Sequence, residues 1–556
     1  MDEITKTNIA QALWLEQYDE AKIPPDILAK IKSEKNSGHS FAKRLSDRFQ
    51  GLIDLPMSYV ASRTDRYIGI LADIVLAGER SPQQCYASAL LMGPENVQGY
   101  APLSLDPAFT WPAIDAPQWQ NQTGWHFFVG NFSDADGKYY SVQLMFWQYS
   151  LLPPPMATAL GLSDVESQTL ELHLAISDAA SNQHYRANTV LVAGTTGLFE
   201  FAADPFRFTL GKNVIEALGD SENLFPCRLR AQGWDMGKTS DGAIAIDIAL
   251  QNEKFYFLEG EDGCAPSVDG VGTLYYSASR LRLVPDREST ITIAGKTITL
   301  ADGDMWFDHQ WGTGFMPGGG CEHPVMRAVA NLSTPAPGGW DWFMFQFHPD
   351  KQVEDGGWVE MTLSALHTNA NLAYYGQTGP TSPGVMTASC VGKFIDSANI
   401  AHDVTGTMQV TKWLKSETSP NPSVYPSTDT WYPNEYSFTI DAGLPEPFRQ
   451  FTVKPIVTKS QTGFFGNGLQ YTEGGGIVLD SSEAEIGRCF CEGTNYANSS
   501  ANILTLAGLP GAATSLLKPP KVGIFLYLAS LVYTVLHLST LKQILGQAKG
   551  LGSAKK

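Results

Sequence analysis

Gly124-Trp125-His126-Phe127-Phe128-Val129-Gly130 is followed by Asp134-Ala135-Asp136-Gly137 and then by Tyr139-Tyr140-Ser141-Val142-Gln143-Leu144-Met145-Phe146-Trp147. Two runs of aromatic and β-branched residues flank an Asp-Gly pair, which is the local signal for a β-hairpin. The layout returns further along the chain. Gly339-Trp340-Asp341-Trp342-Phe343-Met344-Phe345-Gln346-Phe347 also opens on Gly-Trp, alternates aromatic positions and runs toward an acidic turn near Glu354-Asp355-Gly356-Gly357. A further strand is expected at 358–365. The matching order of hairpins reads as an internal duplication into two β-rich halves, residues 96–300 and 301–505.

The rest of the first half agrees with that reading. Short apolar or alternating runs at 170–176, 206–210, 243–250, 272–277 and 279–284 are separated by Gly, Pro, Asn and Asp. Residues 289–293 and 297–300, joined by Gly295-Lys296, read as another hairpin. Many strands with few helices between them predict a mainly β chain built as an antiparallel barrel or sandwich.

The ends differ in texture. Residues 40–49 and 67–76 space apolar residues three and four apart with charges between them, so 1–95 is expected to be a helical N-terminal extension. Residues 506–521 are rich in Gly, Ala and Pro and read as a linker. Residues 522–541, VGIFLYLASLVYTVLHLSTL, carry no formal charge, and that length can span a bilayer as a helix. Lys518 and Lys521 flank the segment on one side and Lys542 on the other. With no apolar leader after Met1-Asp2-Glu3-Ile4, the segment reads as a C-terminal tail anchor with a cytosolic body; if it is instead a buried or surface-lying helix, the protein is expected in the cytoplasm.

Composition excludes several classes. A chain of 556 residues exceeds one small core, and its hydrophobic content is ample for packed domains. A net charge of -19 argues against nucleic acid, whose phosphates need a basic surface. The seven cysteines are scattered and odd in number, so no disulfide framework is implied. Cys489-Phe490-Cys491 places both thiols on one strand face, which suits packing. Cys321-Glu322-His323 lacks a C-x2-C or H-E-x-x-H companion, so no metal is expected. Gly318-Gly319-Gly320 and Gly474-Gly475-Gly476 lack a following Lys-Ser/Thr and read as loops, not as phosphate cradles. None of this specifies an oligomeric state.

Chemistry concentrates in Gly303-Asp304-Met305-Trp306-Phe307-Asp308-His309-Gln310-Trp311-Gly312. Together with the preceding Tyr275-Tyr276-Ser277 and the hairpin between, it resembles the carotenoid 1,2-hydratase/AttH-like family. That family includes kievitone hydratase-like proteins and, more distantly, fungal decalin-forming pericyclases. Trp340-Asp341-Trp342-Phe343-Met344-Phe345-Gln346 looks like the family's W-D-W-aromatic strand, and Gly487-Arg488-Cys489-Phe490-Cys491-Glu492-Gly493 like its G-x-x-x-x-E-G strand. The resemblance covers roughly residues 100–500. It implies two tandem lipocalin-like β-barrel halves. It also implies a functional His and Trp at His309 and Trp311 and a later acid at Asp341. Where family hydratases place a Tyr two residues before that acid, this chain has Gly339, a departure that suits cyclisation or isomerisation at least as well as addition of water.

Alternation along a strand divides these residues between two faces. Trp306 and Asp308 point one way, and Phe307, His309 and Trp311 the other; Trp340 and Trp342 oppose Asp341. The favoured catalytic set is His309, Trp311 and Asp341, with Asp308 in support. Trp306, Trp340, Trp342 and Phe343 are the candidate substrate-binding residues, since ring faces stabilise a developing cation by about 0.5–2 kcal/mol each. The expected function is a cofactor-independent lyase or isomerase of secondary metabolism. It would act on a hydrophobic terpenoid or polyketide by hydration, dehydration or cyclisation through proton transfer in an aromatic pocket. The alternative is a non-catalytic lipocalin-like carrier of such a ligand.

Overall fold

A computed structural model describes residues 20–26, 28–29 and, with gaps, 100–496; the widest gaps inside that span are 314–339 and 416–430. The opening hairpin forms over Thr123–Ser133 and Tyr139–Ser150, with Trp125 opposite Trp147 and Phe127 opposite Met145. Its turn is closed by Asp134, whose Oδ1 accepts from the amides of Asp136 and Lys138, and by Gly137 at φ 76°. Only a residue without a Cβ adopts that φ freely. The first strand is apolar on both faces because each face meets a different core. Phe128 and Phe132 pack into the first sheet's interior. Trp125, Phe127 and Val129 pack against Trp342, Met344 and Phe490 of a second sheet.

Among the described residues the first sheet has 16 strands. At its centre the motif strand Asp302–Thr313 pairs antiparallel with Thr123–Ser133 on one side and Val271–Leu283 on the other. The runs expected at 272–277 and 279–284 are this single long strand, bent by an irregularity between Ala278 and Leu281. The sheet curls around one large core, but its path runs from Gln183–Arg186 to Phe199–Ala203 without those edges pairing among the described residues. It is therefore a half-barrel. Its open interior is filled by the segment before the first strand, where Phe109, Trp111, Ile114 and Trp119 pack against the core.

The second sheet closes. Trp340–Phe347, Glu360–Leu366, Met386–Ile395, Ala401–Lys415, Trp431–Ile440 and Gln450–Pro455 follow one another in chain order. Tyr471–Leu479 then pairs with both Gln450–Pro455 and Glu485–Thr494, and the latter returns to Trp340–Phe347. The eight strands form a barrel around a core of aromatic and aliphatic side chains.

Several contacts lock the two sheets together. Arg280, on the first sheet, donates through Nε to Glu360 Oε1 at 2.6 Å and through Nη2 to the Phe347 carbonyl at 3.1 Å. Its Nη1 pairs with Asp304. Lys254 donates to Glu360 Oε2 and to the carbonyls of Trp358 and Asp396, each at 2.7 Å. Glu360 is wholly buried, so the two cations are what make its charge tolerable. Gln346 donates to the carbonyls of Ser279 and Met305, each at 2.9 Å, and Asn131 to that of Cys489 at 3.0 Å.

Three expectations change. The motif strand, expected to open the second half at 301, belongs to the first sheet, because its long-range partners are Thr123–Ser133 and Val271–Leu283. Gly474-Gly475-Gly476 is not a loop but the middle of the strand Tyr471–Leu479. A Cβ on Gly475 would stand 2.2 Å from Asn131 Oδ1 and 2.6 Å from Ser141 Cβ, so the sheets approach there only because no side chain intervenes. The helical N-terminal extension contributes, among the described residues, only the 3-10 turn Glu20–Lys22 and one turn beyond it. Residues 40–49 and 67–76, Gly318-Gly319-Gly320, Cys321-Glu322-His323, the 506–521 linker and 522–541 lie outside the described residues. Among the described residues no helix is long and apolar enough to cross a membrane.

Candidate active site

A cavity of about 590 Å³ lies between the two sheets. Trp125, Phe127, Met145 and Trp147 of the opening hairpin form its apolar wall. From the motif strand it receives Asp308, and from the second sheet Trp340, Trp342, Glu473 and Glu492. Trp306, on the same strand face as Asp308, is fully buried behind this lining, in the cluster that holds Trp125 and Trp342. Alternation placed Trp306 and Asp308 on one face correctly. It is this face, and not that of His309, that meets open space.

Asp308 is held by three donors. Ser277 Oγ and Trp306 Nε1 donate to Oδ1, each at 2.6 Å, and Tyr275 OH to Oδ2 at 2.8 Å. Burial nonetheless pushes its carboxyl up to about 7, those hydrogen bonds offsetting only part of the desolvation. Glu259, also buried, lies 3.1 Å from the same Ser277 Oγ. Burial first, and the Asp308 charge second, hold it well above the usual carboxylate range. A serine hydroxyl has one proton. Ser277 can donate to only one of the two carboxyls, and the other contact is satisfied when that carboxyl brings its own proton. The trio is built to retain a proton on an acid at neutral pH.

A second carboxyl pair faces it from the barrel. Glu473 and Glu492 are cross-strand partners and hydrogen-bond each other. Burial raises both, Glu492 to about 7, while Trp340 Nε1 donates to Glu492 Oε1 at 2.7 Å. Glu473 is 1% exposed. Its Oε2 and the indole N–H of Trp342 have no partner among the described residues.

The favoured set His309, Trp311 and Asp341 is not brought to one cavity. His309 lies in the half-barrel interior, stacked at 4.0 Å on His126. The Trp125 carbonyl is 3.0 Å from its Nδ1 and the Ala116 carbonyl 3.2 Å from its Nε2. Burial lowers its pKa to about 4, so the ring is neutral, and it pins the 113–116 turn inside the sheet. Trp311 packs in the same core beside Tyr276 and Phe109. Asp341 is fully buried inside the closed barrel, accepting from Tyr496 OH at 2.8 Å. Phe343 packs there too, between Tyr436 and Phe438. Of the other candidates, Asp308, Trp340 and Trp342 line the cavity.

The half-barrel interior holds one further buried acid, Asp115. Tyr256 and Tyr276 donate to its Oδ1 at 2.7 and 2.5 Å, and the Leu224 amide to Oδ2 at 2.8 Å. Burial raises it to about 6. It does not line the cavity, and its bonds tie the filling segment to the sheet. Among the described residues no group of three His, Cys, Asp or Glu side chains is placed to hold a metal ion.

An antiparallel half-barrel joined to a closed eight-stranded barrel, with an acidic and aromatic cavity between, defines a tandem lipocalin-like β protein. The chain matches the AttH-like family model over residues 104–354. It is similar to the crystal structure of a putative AttH from Nitrosomonas europaea, at 16% identity and TM-score 0.48, over 71% of this chain and 99% of that one. It is also similar to kievitone hydratase from Nectria haematococca, at 13% identity and TM-score 0.42, over 73% and 98%. A structure of CghA with Sch210972 aligns at 9% identity and TM-score 0.27, over 72% and 97%. A comparison with curated protein sequences finds no match.

Proposed function

We propose that the protein is a cofactor-independent lyase or isomerase that moves a proton onto and off a hydrophobic small molecule held between the two sheets. The observation that carries this reading is the Asp308–Ser277–Glu259 trio: two buried carboxyls share one hydroxyl at the edge of an aromatic-walled cavity. An acid kept protonated near neutral pH is what general-acid catalysis needs. A cavity of about 590 Å³ suits a molecule of terpenoid or polyketide size.

In this mechanism Asp308, sharing the proton with Glu259, donates it to a substrate alkene carbon. The C=C π pair forms the new C–H bond and leaves a cation on the adjacent carbon. The Trp125 and Trp340 rings stabilise that cation along the apolar wall. The cation then loses a proton from a neighbouring carbon, which is isomerisation or the end of a cyclisation. Alternatively one admitted water adds and gives up its proton, which is hydration. In either case the released proton returns to a carboxylate and the acid is regenerated.

The test is to incubate the protein with terpenoid and polyketide alkenes in deuterium oxide and read the products by mass spectrometry. The reading expects one carbon-bound deuterium per turnover with wild type and none with Asp308→Asn. Saturable binding of those alkenes without exchange or conversion would make the protein a carrier instead.

A further inference from the structure

The cavity's charge is one-sided. Among the described residues, Glu259, Glu261, Asp308, Asp403, Glu473 and Glu492 line it, against the single cation Lys393. Lys393 is already paired with Asp403 at 2.6 Å. At the barrel end, Glu473 and Glu492 sit beside two indoles, Trp340 and Trp342. The Glu473 carboxyl is almost wholly buried, lines the cavity, and has an oxygen without a partner among the described residues. A buried carboxyl oxygen left unbonded is costly, so its surroundings are incomplete without a ligand group.

Resting on the reading of the cleft as the active site, we propose that the substrate carries a cationic amine. The amine seats against the Glu473–Glu492 pair and the Trp340 and Trp342 indoles, and the apolar body lies along Trp125, Met145 and Trp147. One carboxylate of the pair neutralises the ammonium, while the other stays protonated and hydrogen-bonds its partner. Adjacent indoles add cation–π attraction in a desolvated setting, which water cannot match. A neutral ligand of the same shape would leave the acids facing apolar surface. An anionic one would meet six carboxyl groups.

Empty, the pair keeps its charge down by holding protons, so binding of a cation should expel one. The groups that bear on this exchange are Asp308 from the first sheet, Asp341 on the neighbouring strand and Lys393 across the cavity, besides the pair itself. Below its monomer limit, dodecyltrimethylammonium can be titrated into the full chain, with dodecanol and dodecyl sulfate as controls. Tryptophan fluorescence and calorimetry in two buffers of different ionisation enthalpy supply the readouts. The ammonium should bind at least about tenfold tighter than the alcohol, a ratio equal to one unit of pKa coupling, and should release a proton. In the Glu473→Gln/Glu492→Gln double variant that preference should vanish while the alcohol binds as before. Equal affinity for ammonium and alcohol in the wild-type protein, or an undiminished preference in a folded double variant, overturns the inference and leaves the proposed function standing. Binding of none of the three probes overturns both.

Discussion

Asp308 and His309 are adjacent in the chain and opposite in fate. The Asp308 side chain enters the cavity, where burial holds its carboxyl near 7. As a general acid it works protonated, so turnover should fall as pH rises through about 7. Asp308→Asn should lower kcat by about 100-fold or more, the usual scale for losing a positioned acid, as measured by steady-state kinetics on any substrate the wild type converts. The same shift sets a sign for stability. A carboxyl whose folded pKa is raised contributes stability that is complete below its unfolded value and is lost as pH rises through the folded one. The melting temperature of wild type should therefore drop between pH 5 and 8, and Asp308→Asn should make the drop smaller. The neutral His309 ring donates its one N–H to a backbone carbonyl, with those of Trp125 and Ala116 both in reach. His309→Gln should cost about 1–3 kcal/mol in denaturant unfolding, the price of a buried polar group left unmatched, with kcat changing far less than in Asp308→Asn.

The hairpins were legible in the sequence because their information is local. Asp134 to Gly137 set the turn, and at Ala294 and Gly295 two consecutive positive φ values close the hairpin of Thr290–Ile293 and Lys296–Thr299. Period-two alternation also divided the motif strand correctly. What alternation cannot say is which face of a strand meets a core and which meets a ligand. That depends on a layer contributed from far along the chain, here the strands carrying Trp342 and Glu492. Tyr275 and Glu492 stood inside the motifs that carried the family resemblance, yet nothing in their spacing marked them as cavity residues. Glu473, ahead of three glycines, gave no chemical signal at all. Those glycines have a packing role that only the assembled elements reveal. Gly475→Ala should destabilise the protein by about 1–3 kcal/mol, since the added methyl meets Asn131 and Ser141 with no room to move, and chemical denaturation would measure the loss.

At the scale of the whole molecule, two sheets of different closure are held in one relation by a buried ion cluster, and the cavity exists only while that relation holds. The duplication foresaw two β-rich units but not how each is completed, because that depends on the long-range pairing of Glu485–Thr494 with Trp340–Phe347 in one and on a filling segment in the other. Glu360→Gln leaves Lys254 and Arg280 buried without their shared counter-charge. It should cost about 3–5 kcal/mol in unfolding free energy and weaken ligand binding in the cleft, read by tryptophan fluorescence. The central claim is that the ligand sits between the sheets and not inside the half-barrel. A crystal structure of the protein with a bound apolar ligand tests it most directly. The account predicts ligand density between Asp308 and Glu473, against Trp125, Trp147 and Trp342; density within the first sheet's core, against His309 and Trp311, would contradict it.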